Sequence, residues 1–125
     1  MEHLKHEHLL VSARVKNPIV DTAVAFKWMR DLVDVLGMEV LGGPYIEDCK
    51  LPGNEGITGV VLLTTSHSAM HIWPLDKEPR VELDVYSCKS VDINKVFEHF
   101  SSMEPIEVTY KFLNRDEGFT EIKSG

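Results

Sequence analysis

Cysteine is nearly absent. The two present, Cys49 and Cys88, stand far apart with no CxxC pairing, which argues against a disulfide framework and a zinc ribbon and leaves two free thiols. Basic residues are also scarce: 13 Lys plus Arg face 20 Asp plus Glu, for a formal net charge of −7. That is the wrong sign for a chain that follows a phosphate backbone, so nucleic acid is not an expected partner. A net negative field instead tolerates, and weakly steers, a cationic small molecule. No uninterrupted apolar run approaches a bilayer span, and the start Met1-Glu2-His3-Leu4-Lys5-His6-Glu7-His8 has no apolar segment of signal-peptide length. No membrane partner and a cytoplasmic location are therefore expected. Repeats, low-complexity tracts and linker-like stretches are lacking too. The 125 residues, 43% of them hydrophobic, suit one soluble domain spanning 1–125.

What is there reads as an alternation of strands and helices. His8 to Val15 is apolar and β-compatible and stops at Asn17-Pro18, a first strand. Asp21 is a plausible N-cap for a helix in which Val24, Trp28, Leu32 and Val35 recur at helical spacing, with Ala25, Met29 and Leu36 beside them and Gly37 at the stop. Met38 to Leu41 restarts as strand, Gly42-Gly43-Pro44 breaks it, and Tyr45 to Leu51 can resume it before the turn-like Pro52-Gly53-Asn54-Glu55-Gly56. The Val-, Leu-, Thr- and Ile-rich run from Ile57 to Trp73 is long for one strand, so two strands or a break near Thr65-Ser66-His67 are expected. Val81, Leu83 and Val85 alternate with Glu82, Asp84 and Tyr86, a half-buried strand with Cys88 on its polar phase. Ile93, Val96, Phe97 and Phe100 mark a second helix capped by Ser90 or Asp92, and Ile106 to Leu113 a last strand. The order β-α-β-β-β-α-β predicts an α+β two-layer sandwich, a mainly antiparallel sheet with both helices on one face.

The stretch Thr64-Thr65-Ser66-His67-Ser68-Ala69-Met70-His71-Ile72-Trp73-Pro74 gathers hydroxyls, two imidazoles and an indole. Taken alone, it fits a solvent-facing strand whose polar residues are incidental. Two metal readings are weighed and set aside. His67 and His71 share a face if extended but stand about 13 Å apart, too far to hold one ion, and their β-branched neighbours argue against a helix that would bring them together. His3, His6 and His8 read as solvated. No metal is assigned.

Larger groupings carry a resemblance. Gly56-Ile57-Thr58-Gly59-Val60-Val61, then Thr65-Ser66-His67, then His71-Ile72-Trp73-Pro74, then Leu83-Asp84-Val85-Tyr86-Ser87-Cys88 resemble, in order and separation, the short prokaryotic S-adenosylmethionine decarboxylases. His8-Leu9-Leu10-Val11 resembles that family's first strand, so the likeness covers nearly the whole chain. It implies a pyruvoyl-dependent carboxy-lyase of polyamine synthesis made as a proenzyme. Cleavage between Thr65 and Ser66 would give chains 1–65 and 66–125, with Ser66 converted to a covalent pyruvoyl group. A serine suits this chemistry because its β-hydroxyl can attack the preceding carbonyl through a five-membered ring and then leave as an ester. By the same resemblance His71 assists processing as a base, a role that suits an imidazole, Thr58 stands where a hydroxyl supports that step, and Cys88 returns a proton to the product carbon. The pyruvoyl carbonyl takes up the substrate amine, so pyridoxal phosphate is not needed. A homodimer of processed protomers, with the site at or near the subunit interface, is implied as well. His71 is five positions after Ser66, so strict alternation places them on opposite faces, and a twist, bulge or kink at the cleavage point is expected to bring the imidazole in.

Each assigned residue also has a plainer reading: His71 as a hydrogen-bonded structural histidine, Cys88 as a small buried hydrophobe, Trp73 as a core or contact residue. Three positions depart from the family pattern. Thr65 replaces a glutamate before the cut, Leu75 a glutamate suited to ribose hydroxyls, and Leu51 or Pro52 a phenylalanine suited to adenine. Trp73 remains as an aromatic wall for a small amine-bearing substrate, and Asp76 or Glu78 can supply the lost carboxylate if the connection to Pro79 folds back. The alternatives are a relative that decarboxylates ornithine or arginine, and a non-catalytic regulatory homologue; retention of Ser66, His71 and Cys88 together speaks against the latter.

Overall fold

A computed structural model describes residues 5–116 and 118–125; His3 lies outside them. The strands are β1 (Glu7–Val15), β2 (Val40–Cys49), β3 (Gly56–Leu63), β4 (Ser66–Trp73), β5 (Arg80–Ser87), β6 (Pro105–Asn114) and β7 (Thr120–Ser124), with helices α1 (Thr22–Val35) and α2 (Ile93–Phe100) and a 3-10 turn at Ser101–Met103. They form one sheet in the order β2-β3-β4-β5-β1-β6-β7, with every pairing antiparallel. One face carries the helices and the core; the other is left open.

Period-two alternation builds this division. Leu9, Val11 and Ala13 of β1, Met70 and Ile72 of β4, and Val81, Leu83 and Val85 of β5 are buried against the helices. The intervening residues form rows across the open face, set by register: His8, Tyr86 and His67 in one row, Ser12, Glu82, His71 and Thr58 in another, and Arg14, Arg80 and Trp73 in a third. Ala25, Trp28, Met29 and Leu32 of α1 and Val96 and Phe100 of α2 close the core from the other side. Asp21 caps α1 by accepting from the Ala23 and Val24 N–H groups, and Asp92, rather than Ser90, caps α2.

The structure extends the sequence reading in four places. The long run 57–73 is a two-strand hairpin turning at Thr64-Thr65. β2 runs straight through Gly42-Gly43-Pro44, absorbing them as register shifts around a cis Gly43–Pro44 bond, where a break is expected from composition. β7 is an additional edge strand, exposed along its length, which has no apolar alternation to mark it. In α1 the buried stripe runs through Ala25 and Met29, leaving Val24 and Val35 on the exposed side.

Candidate active site

Two glycines prepare the site. A Cβ on Gly56 would collide with the Ile72 carbonyl, and one on Gly59 would come within 2.6 Å of the Ile46 side chain and 2.7 Å of the Met29 sulfur. Glycine therefore lets β3 lie close to β4 at one end and lets α1 settle on the sheet at the other. Thr58, between them, faces the open side and is hydrogen-bonded to Nδ1 of His71 across the strand pair, at 3.1 Å. That bond fixes the imidazole ring. A cavity of about 240 Å³ on this face is lined by His71, Ser12, Glu82 and Asp84 among others.

The Thr65–Ser66 bond lies where the β3–β4 hairpin turns into β4. Leu63 pairs with Ser66, leaving Thr64 and Thr65 as the two-residue loop. The Ser66 hydroxyl contacts the Thr65 carbonyl oxygen. The same oxygen accepts from the Cys88 backbone N–H at 3.2 Å, which clips the hairpin to the end of β5. Cys88 is a half-buried free thiol one residue beyond that strand. Its neighbour Ser87 is fully buried and donates to the Thr65 Oγ1 at 3.3 Å. Thr65, Ser66 and Cys88 thus form one cluster at one end of the β4–β5 pair.

His71 does not join them. The registers of β4 with β3 and with β5 are unbroken from Ser66 to Ile72, so the expected bulge or kink is absent. Each residue from Ser66 to Ile72 is paired on both sides, which leaves no unmatched residue between Ser66 and His71 to form a bulge. Ser66 follows the buried phase of Ser68, Met70 and Ile72, whereas His71 is on the open face, about 17 Å further along the strand.

The positions proposed for substrate lie further still from Ser66. Trp73 donates from Nε1 to Asn54 at 2.9 Å, the Arg80 guanidinium lies 4.3 Å from its ring centroid, and the His71 ring stacks beside it at 5.8 Å. The 74–79 connection lies against the end of β1. Arg14 donates to the Glu78 carbonyl at 3.0 Å and lies 3.7 Å from the Asp76 carboxylate, and the Val15 N–H donates to Pro79. The Asp76–Arg14 pair is half-exposed and weakly held, and the Glu78 side chain is exposed. Leu51 and Leu75 are exposed in the turns at this end.

Sequence reasoning missed Asn54, Arg80 and Arg14, whose roles depend on cross-strand register. It also missed Ser87, for which a signal existed: a serine on the phase that otherwise reads Val81, Leu83, Val85.

Residues 7–116 match the family model described as S-adenosylmethionine decarboxylase. The fold is similar to the crystal structure of the adenosylmethionine decarboxylase from Aquifex aeolicus VF5, with a TM-score of 0.71 and 20% sequence identity over 99% of each chain. No curated protein sequence matches.

Proposed function

The chain belongs to the S-adenosylmethionine decarboxylase family, and from that premise we propose that it is a self-processing, pyruvoyl-dependent decarboxylase acting on S-adenosylmethionine. In this reading it supplies aminopropyl groups for spermidine synthesis in the cytoplasm. The observation that carries the proposal is the cleavage-end cluster: a serine at a hairpin, its hydroxyl against the preceding carbonyl oxygen, and that oxygen bonded to the backbone N–H of Cys88, a free cysteine.

Maturation begins when Ser66 Oγ bonds to the Thr65 carbonyl carbon and the Thr65–Ser66 C–N bond breaks, the hydroxyl proton passing to the freed amine. Negative charge developing on the Thr65 oxygen falls where the Cys88 N–H already donates. Removal of the Ser66 α-proton then expels the Thr65 carboxylate, and water replaces the nitrogen as ammonia to leave the pyruvoyl group. That group, once formed, supplies a carbonyl electron sink for decarboxylation. The residues at the cleavage end fit it: Ser66 begins a strand, so the new terminus is held by the β4 ladder, and the Cys88 thiol stands ready to give a proton to the product carbon.

His71, held by Thr58, suits the base that takes the α-proton. Its distance from Ser66 within one chain is best met by a homodimer. A two-fold axis that sets the two strands in opposite senses brings the Thr58–His71 end of one protomer to the cleavage end of the partner subunit. Trp73, Asp76 and Glu78 then join the same composite site from the His71 side. No metal or pyridoxal phosphate enters this reading.

The test is release of CO2 by the processed protein from S-adenosylmethionine, ornithine and arginine under one condition. The highest kcat/KM for S-adenosylmethionine is expected. Turnover of ornithine or arginine alone would mean a changed substrate, and complete cleavage without turnover of any would mean a regulatory homologue.

A further inference from the structure

Five residues in the run Thr64 to Ser68 include four with β-hydroxyls, each a chemically competent attacker on the carbonyl before it. The fold treats three of them differently. Ser68 donates to the Asp84 carbonyl at 2.8 Å, and the Thr65 Oγ1 accepts from Ser87 at 3.3 Å. Ser66 is the one of these three whose hydroxyl meets the preceding carbonyl oxygen. Ser87 occupies a position of complete burial on the apolar phase of β5, where a hydroxyl is costly unless it is bonded on both sides. It is bonded on both sides, donating to Thr65 and accepting from the Lys89 N–H at 3.0 Å.

We propose that Ser87 is the positioning residue that prepares the Thr65–Ser66 bond for cleavage, by gripping the Thr65 side chain while the adjacent Cys88 N–H holds its carbonyl. This inference rests on the self-processing reading above. The residue before the cut is thereby gripped through both its side chain and its carbonyl by consecutive residues of the β5 end. Its carbonyl carbon stays presented to Ser66 Oγ. The step itself is an isomerisation: one C–O bond forms, one C–N bond breaks, and one proton moves from oxygen to nitrogen with no redox change.

The experiment follows the chain by intact mass spectrometry from synthesis onward, in wild type, Ser87→Ala, Ser87→Thr, Thr65→Val and the double variant Ser87→Ala/Thr65→Val. Loss of one hydrogen bond is expected to slow cleavage about five- to tenfold in Ser87→Ala and in Thr65→Val. The double variant should be no slower than either single one, because both remove the same contact. Ser87→Thr, which keeps the hydroxyl, should restore the rate. A merely structural role would lower the melting temperature of Ser87→Ala and leave the coupling with Thr65 at zero. Wild-type cleavage rates in folded Ser87→Ala, or additive effects in the double variant, would overturn the proposal. An uncleaved wild type would instead overturn the self-processing reading on which it stands.

Discussion

The Cys88 residue offers two groups to the site, and they can be separated by substitution. Its backbone N–H faces the Thr65 carbonyl, while its thiol is free on a half-buried residue. Cys88→Ala removes only the thiol, so cleavage should continue while turnover falls by about 10²-fold or more, the scale of a lost general acid. Fragment masses checked beside CO2 release would show this; wild-type turnover in the cleaved variant would make the thiol structural. On the substrate side, Asp76 spends its charge partly on Arg14, whereas Glu78 lends only its carbonyl. Glu78→Ala should therefore raise KM for S-adenosylmethionine about tenfold or more, the loss of one charge-assisted hydrogen bond, with kcat nearly unchanged. An unchanged KM would remove Glu78 from the site. These residues were legible in sequence as types at particular spacings. What each one touches was not, because Arg14 and Asn54 meet the loops they hold only through pairings across many residues of chain.

At the scale of elements, the sheet was readable wherever alternation is strict. β1, β5 and the phase of β4 follow from which residues are apolar, and so does the placement of Ser66 and His71 on opposite faces. The expectation that local distortion reunites them failed for a physical reason. β4 is an interior strand, hydrogen-bonded along both sides in unbroken register, and a bulge there would leave backbone groups without partners. Edges are harder to read. β7 has exposed residues throughout and is fastened to β6 by pairing, with Lys111 2.6 Å from Glu121. The hydrogen bond from Lys111 holds the Glu121 carboxyl below its ordinary value, with the Lys111 charge acting in the same direction. A lowered folded-state pKa stabilises above the unfolded value and is lost as pH falls through the folded one. The protection of β7 amides relative to their intrinsic exchange rates should thus fall slightly in acid, and Glu121→Gln should remove that loss of protection while leaving the rest of the sheet unchanged.

For the whole molecule, the proposed homodimer makes assembly part of the chemistry, because Ser66 and His71 stand apart along β4. Ser66→Ala keeps His71 but has no β-oxygen to accept the acyl group, so it should remain a single chain. His71→Ala keeps Ser66 but lacks the base, so it should cleave slowly or not at all. Co-expressed, the two should form mixed dimers in which the His71→Ala chain is cut, using His71 of the partner subunit. No rescue in verified mixed dimers would place the base within the same protomer or elsewhere. The likeness of the chain to its family made a dimer expected from sequence. The opposite ends at which the two half-sites stand became visible only with the register in hand.

The most direct measurement is the intact mass spectrum of the purified wild-type protein. The account predicts two species in equal amount, residues 1–65 ending in a free carboxylate at Thr65 and residues 66–125 beginning with a pyruvoyl group in place of Ser66. A single species at the full-length mass, stable on long incubation, would contradict it.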